Sequence, residues 1–197
     1  MINVLHLTDP HLFADRSGEL RGTATHASLR SVLDHYLEGD WQADIALVTG
    51  DLIHDDSAEA YDQFAGLLGS LGLPVYCLPG NHDIRGLMRS KLGKPRFHYC
   101  EAFEADTWLV VSLDSCVSGQ AGGHVAAAEL DRMDREIGAA SAANVMVCLH
   151  HPPVVMKSRW LDTVGLDNRE ELLQRVAASG KVRLVVFGHV HQPYDAE

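Results

Sequence analysis

The chain has 197 residues, of which 46% are hydrophobic and 22% charged, and 16 Lys and Arg stand against 27 Asp and Glu for a formal net charge of −11. That length and balance fit one domain with a real core and exclude a disordered or collagen-like chain. The acidic surface disfavours broad binding to DNA or RNA, and no apolar run reaches the roughly 18 residues that a membrane span needs.

Residues 2–8 (INVLHLT) predict a short buried strand. Residues 25–38 carry Leu29, Val32, Leu33, Tyr36 and Leu37 at helical spacing. A strand is expected over 44–49 (DIALVT). Asp56 and Glu59 have capping-box spacing and open a predicted helix over about 57–71. A strand at 74–78 follows, and 97–100 with 107–113 reads as a strand pair. Then come a helix over 126–137, a strand over 144–149, a helix over 169–178 and a strand over 182–187. This alternation predicts an α/β fold of βαβ units with largely parallel strands, the 97–113 pair making the sheet mixed. The irregular stretch 152–168 follows Pro152 and Pro153 and is expected to form a lid or pocket rim.

The residues that follow the strands carry the chemistry. They are Asp9-Pro10-His11, Gly50-Asp51, Gly80-Asn81-His82-Asp83, His150-His151-Pro152 and Gly188-His189-Val190-His191. Each piece alone is a common turn. Five in this order, each after an apolar strand, predict a site at the carboxyl ends of the strands. Gly50, Gly80 and Gly188 are expected to supply tight or left-handed turns that aim the next side chain into the cleft. Asp9, Asp51 and Asn81 offer oxygen, and His11, His150, His189 and His191 offer nitrogen. That mixture suits iron, manganese, zinc or cobalt and differs from a structural Cys site. Seven donors are too many for one ion but serve two divalent ions that share a bridging carboxylate. The four cysteines, Cys77, Cys100, Cys116 and Cys148, lack metal-ribbon or CxxC spacing and read as reduced small hydrophobes. The opening MINVLHLTDPHLF lacks a basic start and a cleavage site, so the cytoplasm is the expected compartment.

The series DPH, GD, GNHD, HHPP, GHVH resembles the calcineurin-like metallophosphoesterases across essentially the whole chain. Within that family, TDPHLFAD, GDLIHDDSAEAYDQF, LPGNHD, SRWLD and GHVHQ are similar to the bacterial cyclic-nucleotide phosphodiesterases. The resemblance implies an αββα sandwich with mixed sheets and a single domain over 1–197. It implies two divalent metal ions, iron or manganese foremost. Asp9, His11 and His191 match the ligands of one ion, Asp51 matches the bridge, and Asn81, His150 and His189 match the ligands of the other. His150 is preferred to His151 because the family ligand stands two residues before the first proline. His151 then supports the ligands or faces substrate. His82 matches the histidine that contacts the phosphate and protonates the leaving oxygen, with Asn81 and His11 beside it on the substrate. Asp83 is expected to orient the Asn81-His82 loop.

The implied reaction is in-line attack of a metal-bridging hydroxide on phosphorus, with 3′,5′-cyclic AMP as substrate. The spacings alone imply only phosphoester hydrolysis. The alternatives are a glycerophosphodiesterase or other small-molecule phosphoesterase, and an inactive, truncated nucleotide-binding form. The second alternative arises because relatives carry further strands after the last histidine, where this chain has only six residues, 192–197. That implies missing C-terminal strands and an open sheet edge, which a second copy in a homodimer would cover. The expected partner is a small phosphodiester or cyclic nucleotide, with no nucleic acid and no membrane.

Overall fold

The structure, a computed structural model, describes residues 2–196. In chain order the elements are β1 (Val4–Leu7), β2 (Glu19–Leu20), β3 (Thr23–Ala24), α1 (Thr25–Glu38), β4 (Ile45–Thr49), α2 (Ala58–Gly69), β5 (Val75–Leu78) and α3 (Arg85–Leu92). They continue with β6 (Phe97–Tyr99), β7 (Ala102–Ala105), β8 (Trp108–Ser112), α4 (Ala127–Ala139), β9 (Asn144–Cys148), α5 (Arg169–Ser179) and β10 (Val182–Val186). One 3₁₀ turn, Leu161–Thr163, lies inside the predicted irregular stretch. Among the described residues no helix is long and apolar enough to cross a membrane.

Two four-stranded sheets form the centre. The first has the order β1-β4-β5-β6 and is parallel throughout. The second has the order β10-β9-β8-β7, with only β7 antiparallel. Three apolar clusters separate four layers. Leu33, Tyr61, Phe64 and Met88 pack α1, α2 and α3 on the first sheet. Leu47, Leu78, Val110, Met146 and Cys148 fill the space between the sheets. Leu130, Met133, Ile137 and Leu172 join α4 and α5 to the second sheet. The strands of the interior are apolar on both faces because each sheet is covered twice. This is the expected αββα sandwich.

The predicted 97–113 strand pair is corrected. Phe97–Tyr99 joins the first sheet, parallel to β5, whereas Trp108–Ser112 lies in the second. The antiparallel partner of β8 is β7, which the sequence reading missed. The chain changes sheets at Cys100, which has a left-handed φ of 47°. The predicted cap of α2 is also corrected. Asp56 has φ 56° and lies outside the helix. Ser57 caps instead, its Oγ accepting from the Ala60 N–H at 3.2 Å while donating to Asp55 Oδ1 at 2.6 Å. Helix α3 was not predicted. It buries only Met88 and Leu92, one turn apart. Its Arg85 forms a two-point ion pair with Asp114, beyond β8, at 2.5 and 2.9 Å, which ties the layers together beside the site.

The first cluster should carry much of the stability. Phe64 is fully buried and its ring lies 6.2 Å from that of Phe97. Phe64→Ala is expected to cost about 3–5 kcal/mol, read as a lower urea midpoint at unchanged slope.

Candidate active site

Strand order brings the motifs together. On the first sheet β4 lies between β1 and β5, so the Asp51 loop sits between the loops bearing Asp9 and Asn81. On the second sheet β9 and β10 are neighbours, which places His150 beside His189. The strand ends then meet across the sandwich. His150 Nδ1 donates to the Thr49 carbonyl at 2.8 Å, joining β9 to β4. The His189 N–H donates to Asp9 Oδ2 at 2.9 Å, joining the loop after β10 to that after β1. The five loops therefore converge from two sheets, not along one open edge.

The local backbone is strained. Among the described residues ten non-glycine positions have left-handed φ, and half of them are here: Asp9 (52°), His11 (44°), Asp51 (51°), His189 (70°) and His191 (50°). Each costs on the order of 1–2 kcal/mol. The expectation for the glycines is corrected in part. Gly50 has φ +99° as foreseen. Gly80 and Gly188 have ordinary φ, and what they supply is room. A Cβ on Gly80 would lie 2.1 Å from Asp51 Oδ1, and one on Gly188 would lie 2.2 Å from Thr8 Oγ1.

Asp51 is buried, and its Oδ2 lies 3.5 Å from both His11 Nε2 and His150 Nε2. On one side His191 Nε2 approaches Asp9 Oδ1 at 3.3 Å and His11 Nε2 at 3.1 Å. On the other, His150 Nε2 lies 3.2 Å from Asn81 Oδ1 and 3.2 Å from His189 Nδ1. The structure thus brings all seven predicted donors into two adjoining groups. His82 stands over the first group, its ring 5.0 Å from that of His11 and its N–H donating to Asp51 Oδ1 at 2.9 Å.

The charges are coupled. Burial would raise the Asp51 pKa, but the His150 and His11 rings hold it well below the carboxylate range. Burial disfavours charge on His150 too, yet the adjacent Asp51 carboxylate raises its pKa to about 9. Burial depresses His11 and His189 to about 4. The hydrogen bond to Asp9 raises His191. The fit to cations follows from the donor set. With Nδ1–H of His150 committed to a carbonyl, its Nε2 lone pair faces an amide oxygen, a carboxylate oxygen and another imidazole nitrogen. Acceptors face acceptors unless a proton or a cation lies between them. The carbonyl contact is also what orients a metal-binding imidazole. His189 Nε2 is buried without a hydrogen-bond partner among the described residues.

His151 differs from its neighbour. Its Nδ1 accepts from Ser115 Oγ at 2.9 Å and its Nε2 donates to the Ala121 carbonyl at 3.2 Å. Both nitrogens are satisfied, and burial lowers its pKa to about 3. Its ring packs against Gly123, where a Cβ would lie 2.3 Å from it.

Residues 2–193 match the family model described as calcineurin-like phosphoesterase. The chain belongs to the calcineurin-like phosphoesterases. Among curated relatives, the 3′,5′-cyclic adenosine monophosphate phosphodiesterase CpdA of Haemophilus influenzae is 34% identical over 198 residues, covering 100% of this chain and 72% of that protein. A 3′,5′-cyclic-nucleotide phosphodiesterase of a Nostoc species is 34% identical over 193 residues, covering 98% and 73%. The CpdA of Escherichia coli K12 is 32% identical over 197 residues, covering 100% and 72%. A Thermus thermophilus protein, TT1561, superposes with a TM-score of 0.64 at 13% identity, covering 93% of this chain and 81% of that one, and shows the same fold.

This phosphoesterase site has members that strand-end reading did not assign. His54 stacks on His82 with centroids 4.8 Å apart, and its Nδ1 lies 3.3 Å from His11 Nδ1. Its only signal was its place three residues after Asp51, in the same loop. Thr49 was passed over because its contribution is a backbone carbonyl. Asp83 lies under the Gly80–Asp83 turn. It accepts from the N–H groups of Gly80 (2.8 Å) and Leu52 (3.1 Å) and from the Tyr61 hydroxyl (3.0 Å). Desolvation of the carboxyl group raises its pKa to about 7, against the pull of these donors.

A folded pKa above the ordinary 3.8 gives a definite sign. Asp83 contributes stability that is fully present below about pH 4 and is lost as pH rises through about 7. In metal-free protein the stability of wild type relative to Asp83→Asn should fall across that window, read by urea denaturation at a series of pH values.

Proposed function

We propose that this phosphoesterase is a dinuclear, metal-dependent phosphodiesterase that opens 3′,5′-cyclic AMP to 5′-AMP. The observation that carries the reading is Asp51 Oδ2 at 3.5 Å from both His11 Nε2 and His150 Nε2. One carboxylate set between two nitrogen donors suits a bridging ligand. Asp9, His11 and His191 complete one donor set, and Asn81, His150 and His189 the other. Their oxygen and nitrogen mixture fits iron or manganese, and also zinc or cobalt. When bound, the two ions lower the pKa of water toward about 7 and hold the phosphate oxygens. The cyclic-nucleotide part is supported by relatives of that name at 32–34% identity.

The chain's own residues position and protonate. The Asn81 oxygen faces His150, so its NH₂ is left to donate to a phosphate oxygen. His11 and His82 flank the same space, with rings nearly perpendicular at 81°. A water oxygen attacks phosphorus in line and gives up one proton to solvent, the P–O3′ bond breaks, and the departing O3′ takes a proton from His82, which solvent then restores. His54, stacked on His82, and Asp83, beneath the Gly80–Asp83 turn, keep that ring in place. His151 fixes the backbone beside His150 through Ser115.

Metal-stripped protein should hydrolyse neither bis(p-nitrophenyl) phosphate nor cyclic AMP, and Mn²⁺ or Fe²⁺ should restore both. Asp51→Asn should lose at least about 100-fold in kcat/KM, a typical loss for a group that organises transition-state charge. Two ions bound per chain without turnover of either diester would overturn the proposal. Because a cation must displace the proton of His150, whose pKa is about 9, metal affinity should rise with pH up to that value. Calorimetry in buffers of different ionisation enthalpy should detect the released protons.

A further inference from the structure

Beside the His191 end of the site lies a cavity of about 350 Å³, between the start of α1 and the turn that joins β2 to β3. It opens onto Asp9, His11 and His191, and its other walls include Leu20, Arg21, Thr25, Leu29 and Val32. Its size falls in the range of small-ligand pockets, and its make-up is theirs: apolar walls with a few polar groups.

Two of those polar groups lack a use within the fold. Thr25 is only 8% exposed, and its hydroxyl has no hydrogen-bond partner among the described residues. The hydroxyl belongs to the cavity lining, where a polar atom of a ligand can pair with it. Arg21 sits at the tip of the β2–β3 turn with a left-handed φ of 50°. No hydrogen bond or ion pair of its side chain appears among the described residues, and this exposed residue lines the same cavity as His191. A larger groove of about 980 Å³ along β10 also reaches His191. The unpaired buried hydroxyl is in the smaller one.

We propose that this cavity seats the nucleoside part of the substrate, and that Arg21 and Thr25 determine specificity for it. The inference rests on the reading of the chain as a cyclic-nucleotide phosphodiesterase. The phosphate lies over the Asp51 cluster, and the base extends past His191. Leu20, Leu29 and Val32 contact the apolar face of the purine. The Arg21 guanidinium stacks on or donates to the ring, as its planar, delocalised charge allows. The Thr25 hydroxyl pairs with a nucleoside polar atom and so becomes satisfied only in the complex.

Arg21→Ala and Thr25→Val test this with two diesters, cyclic AMP and methyl p-nitrophenyl phosphate, whose small methyl group replaces the nucleoside. The ratio of kcat/KM for cyclic AMP to that for the aryl diester should fall at least about fivefold in each variant, mainly through the KM for cyclic AMP. Metal stoichiometry should stay at the wild-type value. Thr25→Val should also raise the Tm of the ligand-free protein, since it removes an unpaired hydroxyl, whereas a purely structural Thr25 would lower Tm and leave the ratio alone. Wild-type hydrolysis of cyclic AMP with unchanged ratios in both variants would overturn this inference alone. Metal-dependent hydrolysis of the aryl diester without hydrolysis of cyclic AMP would overturn the substrate reading and this inference with it.

Discussion

Everything around the site depends on one buried carboxylate that reaches two histidines from opposite sheets. Asp51 can do so because β4 is interior in its sheet and β9 lies across from it, locked by the bond from His150 to the Thr49 carbonyl. That same bond commits the only N–H of neutral His150 and leaves its lone pair pointing inward. The cluster is thus built of acceptors. In the absence of cations, the Asp51 carboxylate favours a proton on His150, and the hydrogen bond to Asp9 favours one on His191. Metal binding would displace such protons, exchanging one set of positive charges for another.

The residues at the strand ends were legible because each motif follows an apolar run short enough to be a strand and ends in a side chain with no role in a core. Helix α1 was legible to the residue, Thr25–Glu38, because its apolar spacing persists over several turns. The short elements were not. Helix α3 has two buried side chains in eight residues, too few to establish a period. The segment 97–113 alternates well enough for strands, but periodicity does not say which sheet a strand joins. The left-handed Cys100, which separates β6 from β7, belongs to a residue type that gives no turn signal. Asp56 had the spacing of a cap, and Ser57 took the role because Asp55 already holds its hydroxyl.

His54 shows another limit. Its loop is placed by Asp51, and its ring meets His11 and His82 only because residues 11–12 and 52–54 run side by side, with the His54 N–H donating to the Leu12 carbonyl at 2.8 Å. Such a meeting depends on tertiary pairing. The choice between His150 and His151 has the same character. The two neighbours point apart, one to a carbonyl of the first sheet and one to Ser115, and composition is identical at both.

The glycines and the strained residues divide one task between them. Chain ends from two sheets must converge on a space a few ångströms wide, so some backbone has to pass close to side chains and some has to turn sharply. Gly80 and Gly188 meet the first need, since any Cβ there would strike Asp51, Thr8 or Asp9. The sharp turns fall on Asp9, His11, Asp51, His189 and His191 themselves, which cannot be glycine because their side chains are the site. Asp and His tolerate the left-handed region better than β-branched or bulky residues, though not without cost. The strain therefore resides in the residues of the candidate site, and the hydrogen bonds from His189 to Asp9 and from His82 to Asp51 hold it there. A donor held in this way cannot relax to a longer distance without breaking the bond between loops, and that rigidity keeps seven acceptors facing one another when nothing but protons lies between them.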